Sequence, residues 1–140
     1  AVIHERGMMP RHATLALIVA RPGPLRSSLQ ALMTTMPQIE ILAETTDPSA
    51  LLRMGAGIQP DIVLLDASLP EEQVWPALRH IKDEWCRTQS VVLVEDSQQQ
   101  QRVQAAGADV VLLKGHPADK LVAAIKGLLS REEGEGATAD

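Results

Sequence analysis

The sequence predicts an α/β fold in which a parallel sheet of five strands, in the order 2-1-3-4-5, is covered by helices on both faces. Three observations carry that expectation. Short aliphatic runs alternate with segments of helical period along the 140 residues; Gly, Pro and Asp punctuate the changes of period; and the aliphatic runs are nearly continuous, as strands buried on both faces are. Repeated β-α units return the chain to a parallel strand through right-handed crossovers. The length suits one domain of roughly 100 to 200 residues with a single core. We place it at 14–130, between an N-terminal extension (1–13) and a polar acidic tail or linker (131–140) expected to be disordered.

Thr14 to Val19 is the first aliphatic run. Pro22, Gly23 and Pro24 break it, and Leu25, Leu29, Leu32, Met33 and Met36 then recur at helical spacing, with Pro24 suited to the first turn and Pro37 ending the helix. Ile39 to Glu44 reads as the second strand. Asp47-Pro48 opens a short helix carrying Leu51, Leu52 and Met54, closed by Gly55 and Gly57. Asp61 to Asp66 (DIVLLD) is the third strand, and a loop over Ala67 to Gln73 leads into a helix with Val74, Leu78, Ile81 and Trp85. Pro76 is expected in the first turn of that helix, since a deeper proline breaks it. Val91 to Val94 is the fourth strand, Gln98 to Ala106 a short polar helix closed by Gly107, and Asp109 to Leu113 the fifth strand. Pro117 then begins an amphipathic helix with Leu121, Ile125, Leu128 and Leu129.

The formal net charge is −5, and the last ten residues hold four acids and one base, so nothing points to a polyanion-binding surface. Trp75 and Trp85 are the only aromatic residues, with no Phe and no Tyr. The core must therefore be aliphatic, and a mechanism requiring Tyr is excluded. The lone Cys86 rules out an internal disulfide and a cysteine metal cluster, and no base lies at a recognisable spacing from it. His4, His12, His80 and His116 are too scattered for a metal site, and His80 is expected on an exposed helix face. No apolar run is long enough to cross a bilayer, and a cytoplasmic location away from membranes is expected.

Open α/β sheets bind ligands beyond the carboxyl ends of their strands, near the switch point between the first and third. That rule singles out Ala20, Arg21, Asp66, Ser68, Glu95, Asp96, Lys114 and Gly115. From Leu15 to about Leu129 the chain resembles the receiver domain of two-component response regulators, particularly the LuxR-type (NarL/FixJ) branch. The resemblance rests on Pro60-Asp61-Ile62-Val63-Leu64-Leu65-Asp66-Ala67-Ser68-Leu69-Pro70, on Ala106-Gly107-Ala108-Asp109, and on Leu112-Leu113-Lys114 followed by a helix with Leu121-Val122-Ala123-Ala124-Ile125. It implies a flavodoxin-like (βα)5 doubly wound sheet and a signalling module rather than an enzyme.

By that resemblance Asp66 is the phosphoacceptor position and Lys114 the phosphate-contact position. A carboxylate at a strand end is an accessible nucleophile, and an ammonium beside it stabilises charge developing on phosphoryl oxygens. The resemblance also implies a Mg²⁺ site using Asp66 and the backbone carbonyl of Ser68, together with an acidic pair after the first strand. Here that pair is Ala20 and Arg21. A hard cation needs oxygen ligands, so Mg²⁺ is expected to bind weakly. The hydroxyl residue that follows the phosphoryl group during switching corresponds to Glu95, whose carboxylate would repel phosphate, and its aromatic partner on the fifth strand corresponds to Val111. Gly115 replaces the proline after the lysine, which removes the expectation of a cis Lys-Pro bond. Arg21 has two placements open to it: a bidentate ion pair with Asp66 where the metal would sit, or solvent.

Two functions follow from the resemblance. One is an atypical receiver with impaired Mg²⁺-dependent phosphorylation, which acts by docking a partner or by forming a homodimer. The alternative is a working receiver phosphorylated on Asp66 by a histidine kinase, as the N-terminal part of a LuxR-type transcription regulator. These residues contain no helix-turn-helix segment, so direct nucleic-acid binding is not expected of them. A flavodoxin-like enzyme or nucleotide-binding domain would need a phosphate-cradling loop after the first strand, and Ala20 to Pro24 lacks one.

Overall fold

The computed structural model describes residues 13–54, 59–115 and 119–128. Strand β1 (Thr14–Val19) leads to α1 (Pro24–Thr34), β2 (Ile39–Thr45) to the short α2 (Ala50–Arg53), β3 (Ile62–Asp66) to α3 (Glu71–Glu84), and β4 (Gln89–Val94) to α4 (Ser97–Ala105). Strand β5 (Val110–Leu113) precedes a last helix, α5, which covers 119–128. The strands form one sheet in the order β2-β1-β3-β4-β5, with every neighbouring pair parallel. Fold class and strand order are those predicted from the sequence.

The continuous aliphatic runs are explained by burial on two faces. Along β1, Ala16 and Ile18 enter one core cluster while Leu17 and Val19 enter the other. In β3, Ile62 and Leu64 face the first cluster, and Val63 and Leu65 the second. Strand β4 divides in the same way, with Val91 and Leu93 on one side and Val92 and Val94 on the other. Side chains alternate across a strand, so a strand with a core on each side is aliphatic along its middle, and the buried polar residues, Asp66 in β3 and Ser90 in β4, lie near the strand ends where they find hydrogen-bond partners. Helices α1 and α5 supply Leu29, Met33, Leu121 and Ile125 to the first cluster, and α3 supplies Val74, Leu78 and Ile81 to the second.

Several boundaries differ from expectation. Helix α3 begins at Glu71, directly after Pro70, so Pro76 lies in its second turn rather than its first. The helix survives because Pro76 and Glu72, whose carbonyl loses its partner, are both exposed to solvent. Strand β4 starts at Gln89, two residues early, and α4 starts at Ser97, because Asp96 caps it by accepting a hydrogen bond from the Gln99 N–H. Strand β5 starts at Val110, and Asp109 lies just outside it. Strand β2 runs on to Thr45. Residues 1–12 and 129–140, Gly55, Gly57, His116 and Pro117 lie outside the described residues, and with them most of the expected extension, the tail, Leu129, His4 and His12.

Ladder-like hydrogen bonds continue past the strand ends on the carboxyl side. Ala20 N–H donates to Thr45 O at 2.9 Å, Ala67 N–H to Leu93 O at 2.9 Å, and Lys114 N–H to Val94 O at 2.8 Å. These bonds hold the first residue of each loop in register with the sheet, and they fix where Asp66 and Lys114 meet.

Candidate functional site

Asp66 is the last residue of β3 and pairs with Leu93 of β4. It sits among aliphatic neighbours and is only 5% exposed, where an uncompensated carboxylate is costly. Its Oδ1 collects the compensation: the Ser68 N–H donates to it at 2.9 Å, the Ser68 hydroxyl at 2.7 Å, and the Lys114 Nζ lies 2.6 Å away. Lys114 Nζ also donates to Ser68 Oγ at 3.0 Å and to Glu95 Oε2 at 2.9 Å. An ammonium has three N–H donors, and all three are directed here. No described residue donates to Asp66 Oδ2.

The electrostatics follow from this geometry. Burial pushes the Asp66 carboxyl up, but the Lys114 ammonium and the Ser68 donors outweigh it and hold the carboxyl below its ordinary 3.8. For Lys114, burial works to lower the ammonium, and the Asp66 and Glu95 carboxylates overcome it, raising the group above its ordinary 10.5. Both groups are charged across the neutral range. Lys114 thus joins a buried carboxylate to an exposed one.

The positions after β1 are built differently. Ala20 is fully buried, and its carbonyl accepts from Arg26 Nε at 2.9 Å and Arg26 Nη2 at 2.6 Å. The same Nη2 donates to Thr46 Oγ1 at 3.1 Å, and Nε lies 3.9 Å from Glu44. Arg21 is exposed and has no hydrogen bond or ion pair to the described residues. The Arg21–Asp66 ion pair, one of its two expected placements, is therefore not formed: the Pro22-Gly23-Pro24 turn leaves Arg21 in solvent, and Lys114 already holds Oδ1. Among the described residues, no group of three or more His, Cys, Asp or Glu side chains is arranged to hold a metal ion.

Glu95 and Val111 lie after β4 and within β5, and each has its own partners. Glu95 turns to Lys114, and Val111 pairs with Val92 and packs half-buried against the second core cluster. Gly115 adopts φ +91°, a backbone that favours glycine, and no described peptide bond is cis. His80 differs from expectation. It is half-buried, its ring sits edge-on to Trp85 at 4.9 Å, and Nε2 is buried with no hydrogen-bond partner among the described residues. Cys86 is free and exposed.

Two residues at the site were not anticipated. Arg26 caps Ala20, and Gln99 ties two loops together: its Oε1 accepts from the Glu95 N–H at 2.8 Å and its Nε2 donates to Ala67 O at 3.3 Å. The Asp96-x-x-Gln99 spacing is a capping-box pattern and was the available signal for Gln99.

No family model matches the chain. Over 100 residues it is 30% identical to YhcZ, an uncharacterized transcriptional regulatory protein of Bacillus subtilis, covering 70% of the chain and 47% of that protein. A stretch of 73 residues, 52% of the chain, is 33% identical to a protein-glutamate methylesterase/protein-glutamine glutaminase of Bradyrhizobium diazoefficiens, covering 20% of it. The chain thus spans less than half the length of these curated relatives. Among solved structures, a LuxR-family two-component response regulator of Aurantimonas sp. superposes with a TM-score of 0.73 at 24% identity, covering 84% of this chain and 86% of that one. The fold is that of a response regulator receiver domain.

Proposed function

We propose that this receiver-fold domain is a signalling module in which the Lys114 clamp, not a metal-bound acidic pair, governs Asp66, so that Mg²⁺-dependent phosphorylation is weakened. The observation that carries this reading is the pair of residues after β1: a buried methyl at Ala20 and a solvent-exposed guanidinium at Arg21. The residues present do not fit a divalent cation. Mg²⁺ demands near-octahedral oxygen ligation, and only Asp66 and the Ser68 carbonyl remain of the implied donor set. Phosphoryl transfer depends chiefly on positioning and charge neutralisation, and one lysine already bound to two carboxylates supplies little of either. The module then acts by docking a histidine kinase or another signalling protein, or by pairing with a second copy.

A second reading, a working receiver phosphorylated on Asp66, is favoured by one observation: Oδ2 has no donor among the described residues while Lys114 stands beside Oδ1. In that case the phosphate must interact differently with two conformations of the domain. Intact-mass spectrometry after incubation with acetyl phosphate, with and without Mg²⁺, separates the readings. The first reading expects no Mg²⁺-dependent adduct on the folded protein. A Mg²⁺-dependent phosphoryl adduct that disappears in Asp66→Ala establishes the second.

A further inference from the structure

Between α1 and α5, over the carboxyl ends of β4 and β5, lies a cavity of about 350 Å³. Its wall is leucine: Leu25, Leu29 and Leu32 from α1, Leu93 from β4, Leu112 from β5 and Leu121 from α5. The volume lies within the usual range of small-molecule sites, roughly 300 to 1,000 Å³. The cavity is partly open to solvent, which gives a ligand access to the leucine wall.

The polar contribution to the lining is cationic and hydroxylic. Ser28, Lys114 and Lys120 line the cavity, and no carboxylate does so among the described residues. The Lys114 ammonium is committed to Asp66, Ser68 and Glu95. Lys120 is exposed and has no ion pair with the described residues. An aliphatic interior with an ammonium at its mouth that pairs with no described carboxylate is complementary to an amphiphile with one anionic end.

We propose that this cavity is a binding site for a medium-chain aliphatic carboxylate, whose chain lies among the leucines and whose carboxylate meets Lys120. Apolar burial supplies the affinity, and the lysine selects the acid over the neutral alcohol. The site adjoins the phosphoacceptor position through Lys114, which lines the cavity and binds Asp66, but the ligand's carboxylate meets Lys120, so binding does not require Asp66 to be phosphorylated.

Calorimetric titration of the whole chain with decanoate, and separately with decanol, tests the assignment. Two variants at exposed positions leave the core intact, with folding confirmed by circular dichroism: Ser28→Trp, which places a ring at the mouth, and Lys120→Glu. Wild type is expected to bind decanoate saturably at one site. Ser28→Trp should weaken both ligands by at least about tenfold, and Lys120→Glu should weaken decanoate by up to about fivefold, the scale of an exposed ion pair, without affecting decanol. Absence of saturable binding by folded wild type overturns the proposal, as does equal affinity for acid and alcohol that Lys120→Glu leaves unchanged. Sedimentation of the same samples supplies the remaining outcome. A dimer broken by Ser28→Trp, with no ligand binding, would mean that a second copy covers the cavity, and it too overturns the assignment.

Discussion

The two ends of the sheet use aspartate in opposite ways. At the amino end, Asp61 Oδ2 accepts from the Leu15 N–H at 2.7 Å and Asp109 Oδ2 from the Ser90 N–H at 2.8 Å. Buried Thr88 adds a bond to Pro60 O at 2.6 Å. Each of these side chains ties the start of one strand to its neighbour through the backbone. At the carboxyl end, Asp66 is bound by a lysine that a second, exposed carboxylate also holds, and one of its oxygens receives no hydrogen bond from the described residues. Side chains whose carboxylates bond, among the described residues, only the backbone or hydroxyls of neighbouring strands belong to the scaffold, whereas Asp66 also pairs with an ammonium. A carboxylate neutralised by an ammonium, with an oxygen that receives no hydrogen bond from the described residues, is where a signal can act.

The sharpest way to break this comparison is to remove the ammonium. Lys114→Ala leaves Asp66 buried without its counter-charge and is expected to cost about 3 kcal/mol in urea unfolding at neutral pH, with most of the loss recovered in Lys114→Ala/Asp66→Asn. At the other end, Asp61→Ala leaves the Leu15 N–H without its acceptor and should cost about 2 kcal/mol. A second substitution at Lys114 should not rescue it. Glu95→Gln is expected to change stability by less than about 1 kcal/mol, because Glu95 is 56% exposed and the pair is solvated.

The pH dependence sharpens the contrast further. The Asp66 carboxyl is held below its ordinary 3.8 in the folded protein, so its contribution is fully present above that value and is lost as pH falls through the folded value. Lys114 is raised above 10.5; its contribution is complete below that value and is lost as pH rises through the folded one. The stability difference between wild type and Asp66→Asn should therefore be flat across the neutral range, shrink in acid as Asp66 protonates, and shrink in alkali as Lys114 deprotonates. A difference that titrates near neutrality would contradict the clamp.

The fold was legible because strands buried on both faces leave no choice of residue: the runs Thr14 to Val19 and Ile62 to Leu65 can be little else. Helix starts were harder to read. Pro76 suggested a late start for α3, whereas solvent on the exposed face tolerates the missing hydrogen bond. At the site, strand ends located Asp66, Glu95 and Lys114, since each directly ends or follows a strand. Sequence spacing could not tell which cation would reach Asp66, because Arg21 and Lys114 both follow strands beside β3 or β4. The Pro22-Gly23-Pro24 turn and the Lys114 N–H bond to Val94 O decided it. Arg26 was missed because its acceptor is the Ala20 backbone carbonyl, a group every residue carries and no sequence pattern marks.

The central claim is that Lys114, with no acidic pair after β1 to hold a metal, is what governs Asp66, and Mg²⁺ titration followed by amide NMR tests it most directly. The clamp predicts that wild type shows no saturable Mg²⁺-dependent shifts at Asp66, Ser68 and Lys114, and that Ala20→Asp/Arg21→Asp gains them. Saturable shifts at those residues in wild type, abolished by Asp66→Asn, would contradict it.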